Sequence, residues 1–365
     1  MVYRVIGLMS GSSLDGLDVA YVEFEENKGQ WEYRLLASEC FPYDDHWLKL
    51  LRKLHTLSAL DYQLAHSDFG HYCGQRVNEF IISNKLEFKV QLIVSHGHTA
   101  FHIPSKLMTS QIGDGAAIAA ETGINVVSDL RALDVALNGE GAPIVPIGEK
   151  LLFKDYEFLL NIGGIANLSF KGEEKYIAFD VCPANRVLNL LSQEKGKPYD
   201  ESGNMSRSGK LIENIFGALN QLEYYSNQYP KSLANSFGTD IIYPMITKTG
   251  SPEDVLNTYC EHIAFQVNES VKMIRNLEGF KAPAKMLVTG GGAHNHFLTE
   301  RLGHYLQSTN VELVIPSKEV VEFKEAIIMA LIGVLRWREE NNVLSSVTGA
   351  SRDSIGGAVW IGQEF

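Results

Sequence analysis

Three glycine-bearing turns are the segments of this chain with the clearest capacity for chemistry. Each follows a short apolar stretch: SGSSLDG at 10–16, NIGGIAN at 161–167 and TGGGAHN at 289–295. Glycine permits positive φ and lets a ligand approach the main chain, so backbone N–H groups can converge on phosphate oxygens. One such turn is more often an ordinary tight turn, but three of them favour phosphate binding.

The spacing within these turns limits the class of nucleotide protein. None matches GxxxxGK[ST], and none matches the GxGxxG pattern that joins a strand to a helix. A P-loop enzyme and a dinucleotide dehydrogenase are therefore both disfavoured. Two of the turns lie inside predicted hairpins, which points to a different kind of phosphate site.

Polar side chains also follow predicted strands elsewhere. HGHT follows a strand at 91–95, Asp129 follows a strand at 124–128, and Asp180 ends a strand that begins at 176. Open α/β sheets bind ligands at such strand ends. His96, His98 and His102 could also be metal ligands, but without an obvious carboxylate as fourth ligand a zinc site is disfavoured.

The elements that must position these residues follow an α/β pattern. Strands at 3–8 and 18–24 form a hairpin around the first turn, and helical spacing predicts two or three helices over 45–86. The hairpin plan recurs, with strands at 158–162, 168–170 and 176–179. Residues 186–275 are mainly helical with a polar interruption at 224–240, and a last strand at 285–289 precedes the third turn.

Composition limits the partners. The chain has 365 residues, enough for two lobes or one large domain, and 32 basic against 44 acidic residues give a net charge of -12. This charge disfavours nucleic acid as a partner.

The four cysteines form no CxxC pair, which favours reduced thiols in a cytoplasm. No signal segment is evident, and the longest apolar run, at 326–335, is about half a membrane span, so we expect no membrane association.

The paired hairpin turns resemble those of the superfamily of sugar kinases, actin and heat-shock chaperone ATPases. The resemblance implies an α/β, two-lobed actin-like ATPase (sugar kinase) fold, in which each lobe is a mixed sheet flanked by helices. We expect an N-terminal lobe of residues 1–128 plus 346–365 with the first phosphate loop. Residues 129–345 would form the C-terminal lobe, with the second loop, the catalytic aspartate and the adenosine-side glycine turn.

One family within that superfamily matches longer strings over almost the whole chain. GLMSGSSLDGLDVA, SHGHT, QIGDGAAIA, VSDLRALDVALNGEGAPIVP, NIGGIANLS, TGGGAHN and SVTGASRDSIGGA resemble anhydro-N-acetylmuramic acid kinase. In that family ATP phosphorylates the 6-oxygen of 1,6-anhydro-N-acetylmuramic acid while water opens the anhydro bridge. The product is N-acetylmuramate 6-phosphate, and cell-wall fragments are thereby recycled.

The resemblance implies ATP and Mg²⁺ as ligands. Asp15 would help to hold Mg²⁺ through water; its alternative role is a turn aspartate that caps its own backbone. Ser12 stands where the family usually has Thr, which keeps the hydroxyl. The implied ATP-binding residues are Gly11, Ser12, Ser13, Leu14, Asp15, Gly16, Leu17, Asp18, Gly163, Gly164, Asn167, Gly290, Gly291, Gly292 and Asn295.

Asp180 matches the family's catalytic aspartate, which accepts a proton from the attacking water. The family pattern FDTGPGN reads FDVCPAN here, so Val181, Cys182 and Ala184 replace a Thr and two glycines. A strand-end cap is the alternative role for Asp180. For Cys182 a small buried thiol is favoured over a nucleophile, because no base partner is evident.

The implied substrate-binding residues are His96, Asp129, Arg131 and Glu325. Arg131 suits the lactyl carboxylate of a muramic sugar, because a guanidinium matches a carboxylate bidentately; a surface ion pair with a neighbouring Asp is the alternative. Glu325 would face the sugar from a first helical turn or be a solvated helix-start residue. His98 stands where the family tends to have Gln, so we expect a titratable contact there.

Two further readings remain open. One is a kinase for another amino sugar or sugar acid. The other is an ATP- and sugar-binding regulatory pseudokinase, suggested by the altered FDVCPAN string. PKSLANSFG at 230–238 also departs from the family's usual PKSTGREYF. The expected partners are a small-molecule sugar and a second copy in a homodimer, with no nucleic acid and no membrane.

Overall fold

The structure is a computed structural model that describes residues 1–11, 13–172, 176–234 and 236–362. Its contacts divide the chain into two compact units, one of Met1–Lys154 with Phe323–Phe365 and one of Asp155–Glu322. The expected boundaries after 128 and 345 differ from these. Residues 129–154 belong to the first unit because their side chains bond within it, as when Arg131 Nη1 donates to Thr99 Oγ1.

The strands and helices alternate along the chain as an α/β protein requires. The strands are β1 (Val2–Ser10), β2 (Gly16–Asn27), β3 (Gln30–Pro42), β4 (Leu92–Ile103), β5 (Met108–Ile112), β6 (Val126–Ser128), β7 (Phe158–Ile162), β8 (Ile165–Lys171), β9 (Tyr176–Pro183), β10 (Ala284–Thr289), β11 (Val311–Val314) and β12 (Ala358–Trp360).

The helices flank the strands in both units. They are α1 (Asp45–Lys53), α2 (Ala59–Ser83), α3 (Gly115–Thr122), α4 (Ala132–Ala136), α5 (Pro146–Leu152), α6 (Asn185–Gln193), α7 (Asn204–Ser208), α8 (Glu213–Asn220), α9 (Glu223–Ser226), α10 (Tyr243–Ile246), α11 (Pro252–Glu278), α12 (His296–Leu306), α13 (Lys318–Trp337) and α14 (Ser345–Thr348). A π-helix, Phe237–Ile242, interrupts the polar stretch between α9 and α10.

The first unit contains a seven-stranded mixed sheet in the order β12-β6-β4-β1-β2-β3, with β5 paired to β4. β1, β2 and β3 form an antiparallel meander, and β4 runs parallel to β1. One face of the sheet is covered by α2, whose Phe69 and Phe80 are fully buried in one cluster with Ile6 and Leu8. These buried apolar residues of α2 thus hold the hairpin that carries the first glycine turn.

The second unit contains a five-stranded mixed sheet in the order β11-β10-β7-β8-β9. β7, β8 and β9 form an antiparallel meander, and β10 runs parallel to β7. α11 packs against this sheet, with Tyr259 fully buried in the same cluster as Phe158 and Phe170. The Tyr259 hydroxyl donates to the Pro183 carbonyl at 2.8 Å, which ties α11 to the end of β9.

The two sheets share one plan. Each has a three-stranded antiparallel meander, and the first strand of the meander also pairs with a parallel strand, next to which a second parallel strand lies. The order β3-β2-β1-β4-β6 in the first unit matches β9-β8-β7-β10-β11 in the second. This recurrence confirms the predicted α/β fold class, with a mixed sheet flanked by helices in each unit. It also confirms the hairpins predicted around the first and second glycine turns.

Several strands differ from the sequence-based prediction: β4 and β9 run further than predicted, and β5, β11 and β12, like β3, were not predicted. β4 does not end before HGHT but continues to Ile103, because β5 pairs antiparallel with its second half. β9 continues past Asp180 to Pro183, because Cys182 and Pro183 still pair with β8. β3 was not predicted; its 13 residues pair with β2 along almost their full length.

Candidate active site

The first glycine turn connects β1 to β2. Leu14 has a φ of 61°, and its N–H donates to the Gly11 carbonyl at 3.4 Å. Ser13 Oγ donates to Asp15 Oδ1 at 2.7 Å, and both side chains are exposed. Gly16, Leu17 and Asp18 already belong to β2, and Leu17 is buried in the core. The exposed turn is therefore shorter than the predicted loop; Ser12 lies outside the described residues.

The second glycine turn connects β7 to β8, and the start of α6 supports it. The Asn185 N–H donates to the Gly163 carbonyl at 3.0 Å, and the Ala184 N–H donates to the Gly164 carbonyl at 2.8 Å. A Cβ atom on Gly163 would meet nothing closer than 3.5 Å, and one on Gly164 nothing closer than 3.8 Å. Gly164 is also exposed and Gly163 is half-buried, so a ligand can reach this turn from solvent.

The third glycine turn lies against the second. Gly290 has a φ of 80°, and a Cβ atom there would lie 2.8 Å from the Ile162 carbonyl oxygen. Asn185 Nδ2 would lie 3.5 Å from a Cβ on Gly291 and donates to Ile162 O at 2.9 Å. The fold of the second unit therefore brings together the glycines at 163–164 and 290–292. Asn295 is buried and caps α12 by accepting from the Leu298 N–H at 3.0 Å.

Asp180 lies within β9, directly opposite Asn167 on β8. Its Oδ2 accepts a hydrogen bond from the Leu233 N–H at 2.8 Å. Partial burial raises the pKa of the Asp180 carboxyl, and the bond from Leu233 opposes that rise. The predicted base thus stands opposite Asn167, with one carboxyl oxygen held by the backbone.

A segment that sequence reasoning did not select holds the main chain of Asp180. Tyr224 Oη donates to the Asp180 carbonyl at 2.6 Å, and the Asp180 N–H donates to the Lys231 carbonyl at 3.3 Å. Lys231 Nζ lies 4.7 Å from the centroid of the Tyr224 ring. The only sequence signal was that these residues fall in the polar interruption at 224–240, because contacts this far apart in sequence leave no local pattern.

The altered positions of FDVCPAN are packed inside the second unit. Val181, Cys182 and Ala184 are all buried in its hydrophobic core. Burial raises the pKa of the Cys182 thiol, so it is not a thiolate nucleophile. The small buried thiol is therefore confirmed, and all three altered positions lie in the core rather than on the exposed side of the strand.

In the first unit, a cavity of about 400 Å³ brings together three of the predicted sugar-binding residues. We call it the sugar-side cavity. His96, Arg131 and Glu325 line it, and so does Gly11 of the first glycine turn. Its apolar wall includes Pro143 and neighbouring residues. Polar groups together with an apolar wall suit a small polar molecule with a hydrophobic face.

Arg131 is a buried cation at this cavity. Its Nε donates to the Gly141 carbonyl at 2.7 Å, and Nη1 donates to Thr99 Oγ1 at 3.0 Å. Among the described residues no carboxylate lies within 4 Å of the guanidinium, and burial lowers its pKa to about 10. The neighbouring Asp134 instead accepts from the Gly141 N–H and from Thr348 Oγ1. The surface ion pair considered for Arg131 is therefore absent from the described part of the chain.

Glu325 is partly exposed on α13 and lies beside a buried ion pair. Lys324 Nζ and Glu149 Oε1 are 2.9 Å apart, and both side chains are buried. Removal from water raises the pKa of Glu325; Lys324 opposes that rise and Glu149 adds to it. Glu325 is the eighth residue of α13, which begins at Lys318, so its expected place in a first helical turn is wrong. It is also not a fully solvated residue.

Asp129 faces a second cavity, of about 290 Å³, which meets the first at His96. Its φ of 54° lies in the left-handed region, which Asp tolerates better than most residues. The cavity walls remove water from the Asp129 carboxyl and raise its pKa, while His66 opposes the rise. Asp129 is therefore next to the sugar-side cavity but not in its lining.

The three histidines of β4, His96, His98 and His102, were also considered as metal ligands. No group of three His, Cys, Asp or Glu side chains within residues 1–11, 13–172, 176–234 and 236–362 could hold an ion. Burial lowers the pKa of both His96 and His98 to about 4. The expected titratable contact at His98 is therefore wrong for physiological pH, because burial keeps this ring neutral there.

Two further findings concern cysteines and helices. The four cysteines are all free thiols. In the part of the chain that the structure describes, no helix combines the length and apolar character needed to cross a bilayer.

The whole chain is similar to proteins of one known family. The family model described as anhydro-N-acetylmuramic acid kinase matches residues 3–362. A protein of that name from Hydrogenovibrio crunogenus is 32% identical over 97% of each chain. Another from Aliivibrio fischeri is 33% identical over 98% of this chain and 99% of the relative.

Solved structures are more distant. The activator of the 2-hydroxyisocaproyl-CoA dehydratase from Clostridium difficile, with bound ADPNP, has 13% sequence identity and a TM-score of 0.43 over 92% of this chain and 96% of its own. Component A of the (R)-2-hydroxyglutaryl-CoA dehydratase of Acidaminococcus fermentans has 13% identity and a TM-score of 0.47 over 90% and 96%.

Proposed function

The chain belongs to the anhydro-N-acetylmuramic acid kinase family and is an ATP-dependent sugar kinase, and from this premise we propose how its residues perform the reaction. The sugar-side cavity binds 1,6-anhydro-N-acetylmuramic acid, and the glycine turns bind the phosphates and adenosine of ATP. The product is N-acetylmuramate 6-phosphate. Free thiols and the use of ATP support a cytoplasmic setting.

The buried Arg131 guanidinium is the observation that carries the choice of sugar. A buried charge without a carboxylate partner is costly, and a bound carboxylate would relieve that cost. The lactyl group of a muramic sugar supplies one carboxylate. All three guanidinium nitrogens have a partner in the protein: Nε donates to the Gly141 carbonyl, Nη1 donates to Thr99 Oγ1, and Nη2 lies 3.2 Å from His102 Nδ1. The cation is therefore oriented before the ligand arrives.

The phosphate groups of ATP would bind at the open glycine turns. In the second unit, the turns at 163–164 and 290–292 lie side by side, so one nucleotide can contact both. In the first unit, a Cβ atom added to Gly11 would have no atom from outside its own turn within 4 Å. Backbone N–H groups at these turns would offset phosphate charge despite the acidic net charge of the chain.

Asp15 fits a role in binding Mg²⁺. Its carboxylate is exposed on the first turn, and Mg²⁺ keeps several waters while using one or two carboxylates and substrate phosphates. When bound there, Mg²⁺ would neutralise charge that develops on the transferred phosphate. The bond from Ser13 Oγ would hold the Asp15 side chain in the turn.

Asp180 is the proposed general base. As water oxygen bonds to the anomeric carbon, the bond from that carbon to the bridging 6-oxygen breaks, and Asp180 takes the water proton. The released 6-oxygen forms a bond to the γ-phosphorus as the bond to the β-phosphate oxygen breaks, giving ADP. Leu233 holds one carboxylate oxygen, which leaves the other to accept the proton.

The test is to incubate the protein with ATP, Mg²⁺ and the anhydro sugar and to measure the mass of the product. Hydrolytic phosphorylation adds the mass of water as well as of the phosphoryl group. Addition of the phosphoryl group alone would contradict the proposed ring opening. No change in the sugar would contradict the choice of substrate.

A further inference from the structure

Two histidines of β4, separated by one glycine, line the sugar-side cavity. We infer that His96 and His98 form an acceptor and donor pair that binds the acetamido group of the sugar, with His96 accepting from its N–H and His98 donating to its C=O. The inference rests on the proposed function. It names the residues that bind the acetamido group, whereas Arg131 binds the lactyl carboxylate.

The tautomer of His96 follows from its one hydrogen bond. Its Nδ1 lies 2.9 Å from the Gly97 carbonyl oxygen, which can only accept. Nδ1 must therefore carry the proton, and Nε2 of the neutral ring must be an acceptor. Gly97 has a φ of 71°, and a Cβ atom there would lie 2.5 Å from the Ile112 carbonyl oxygen, so the backbone that makes this bond needs glycine.

The tautomer of His98 follows from a chain of three side chains. Its Nδ1 lies 2.8 Å from Ser10 Oγ, which in turn lies 2.6 Å from Tyr43 Oη. Tyr43 is buried, and Ser10 is the only acceptor for its hydroxyl among the described residues. Because a buried donor without an acceptor is costly, Tyr43 donates to Ser10. Ser10 is itself buried, and His98 is the only other partner of its hydroxyl among the described residues, so the Ser10 hydroxyl in turn donates to His98. Nδ1 is then the acceptor, and Nε2 carries the proton.

Both free ring atoms are available to a ligand in the cavity. Neither Nε2 has a hydrogen-bond partner among the described residues, and neither is sealed from solvent. Both rings line the same cavity. Their pKa values of about 4 keep both rings neutral at physiological pH, so these two tautomers persist under assay conditions.

An acetamido group matches one acceptor and one donor. In a trans secondary amide the N–H and the C=O point in opposite directions, so the group needs an acceptor on one side and a donor on the other. A carboxylate can use only donors, which suits Arg131 instead. The acetamido and lactyl groups of one sugar are therefore assigned to different parts of the cavity by their hydrogen-bonding chemistry.

The test measures binding of two sugars by calorimetry on the full chain. One is the anhydro-N-acetylmuramic substrate, and the other is its 2-deoxy analogue, which lacks the acetamido group. His98→Ala and His96→Ala should each weaken binding of the acetamido sugar about 5- to 100-fold and change binding of the 2-deoxy sugar less than about threefold. His98→Gln should restore most of the affinity, because its amide nitrogen can donate in place of Nε2.

Two controls are needed. One excludes a non-specific loss of binding caused by the substitutions, and the other tests the proposed function independently of the histidine pair. His55→Ala replaces an exposed histidine outside both cavities and should leave both affinities unchanged. The proposed pair would be overturned if the substitutions weakened the affinities for the two sugars equally. It would also be overturned if the wild-type protein bound the two sugars with the same affinity. Product mass is measured separately, so a protein that binds the acetamido sugar through the pair without phosphorylating it would contradict the proposed function alone.

Discussion

Asn167 and Asp180 lie directly opposite each other on the antiparallel strands β8 and β9. Side chains at opposed positions of such a pair have Cβ atoms about 4.5–5.5 Å apart. One strand pairing therefore places Asn167, near the start of β8, beside the proposed base. A shift of this register would move Asn167 away from Asp180.

Asp180→Asn should lower turnover of the sugar by about 10² to 10⁴ while changing the affinities for ATP and sugar little. The amide preserves size and polarity but cannot take the proton of the attacking water. Asp155→Asn, at an exposed position of the same unit, is the matched control. Turnover is measured at saturating concentrations of both substrates. If the variant keeps more than about half the wild-type rate, Asp180 is not the base.

Arg131→Ala should weaken sugar binding by about 1.5 to 3 kcal/mol and leave ATP binding almost unchanged, since only the sugar brings a carboxylate to the guanidinium. Calorimetry with each ligand measures the two affinities, and exposed Arg52→Ala serves as the control. A sugar whose lactyl group is an uncharged amide should lose much less affinity on the same substitution. Equal weakening for sugar and ATP would instead assign Arg131 a structural role.

Leu233→Pro should move the acidic limb of the pH–rate profile to higher pH. Proline removes the N–H that bonds Asp180 Oδ2 and lowers its pKa, so in the variant the carboxyl stays protonated, and inactive as a base, up to a higher pH. Leu233→Ala keeps the N–H and should retain the wild-type profile. If the acidic limb lay at the same pH in both variants, the hydrogen bond from the Leu233 N–H would not contribute to the pKa of Asp180.

Gly292→Ala should weaken binding of a non-hydrolysable ATP analogue by about tenfold or more. Its Cβ atom would lie 2.6 Å from Ile162 Cβ, and relieving that overlap must displace the third turn from the second. Gly303→Ala on α12 is the control, because a Cβ there meets nothing within 4 Å. Sugar affinity should be unchanged in both, and an unaltered nucleotide affinity in Gly292→Ala would argue against the third turn as part of the site.

His262 should make the second unit sensitive to acid. Its ring is buried between Asn220 and Tyr225, and burial lowers its pKa to about 3 from an ordinary value of 6.5. Between those values the unfolded chain takes up a proton that the folded chain does not, so the free energy of unfolding falls as pH drops below about 6.5. His262→Gln should flatten this fall in denaturant titrations, and exposed His55→Gln should not.

The amino-acid sequence by itself determined the α/β class, the two hairpin glycine turns and the family. These features depend on local properties: apolar periodicity marks strands and helices, and glycine marks the turns where the chain needs conformational freedom. The strings around 7–20 and 161–169 are also long enough to carry the family resemblance without any knowledge of what they contact. The chemistry of Arg131 and Asp180 was predicted through that resemblance.

Only the tertiary structure decided which groups surround those residues. The N–H that bonds the Asp180 carboxylate belongs to Leu233, 53 residues away, and the continuation of β4 through His96 and His98 depends on pairing with β5. Likewise, Arg131 has no carboxylate within 4 Å among the described residues, and the neighbouring Asp134 instead accepts from Thr348, 214 residues later in the chain. Such pairings depend on how distant segments pack, so a local pattern of residues does not contain them, and they determine the burial, tautomers and pKa values at the site.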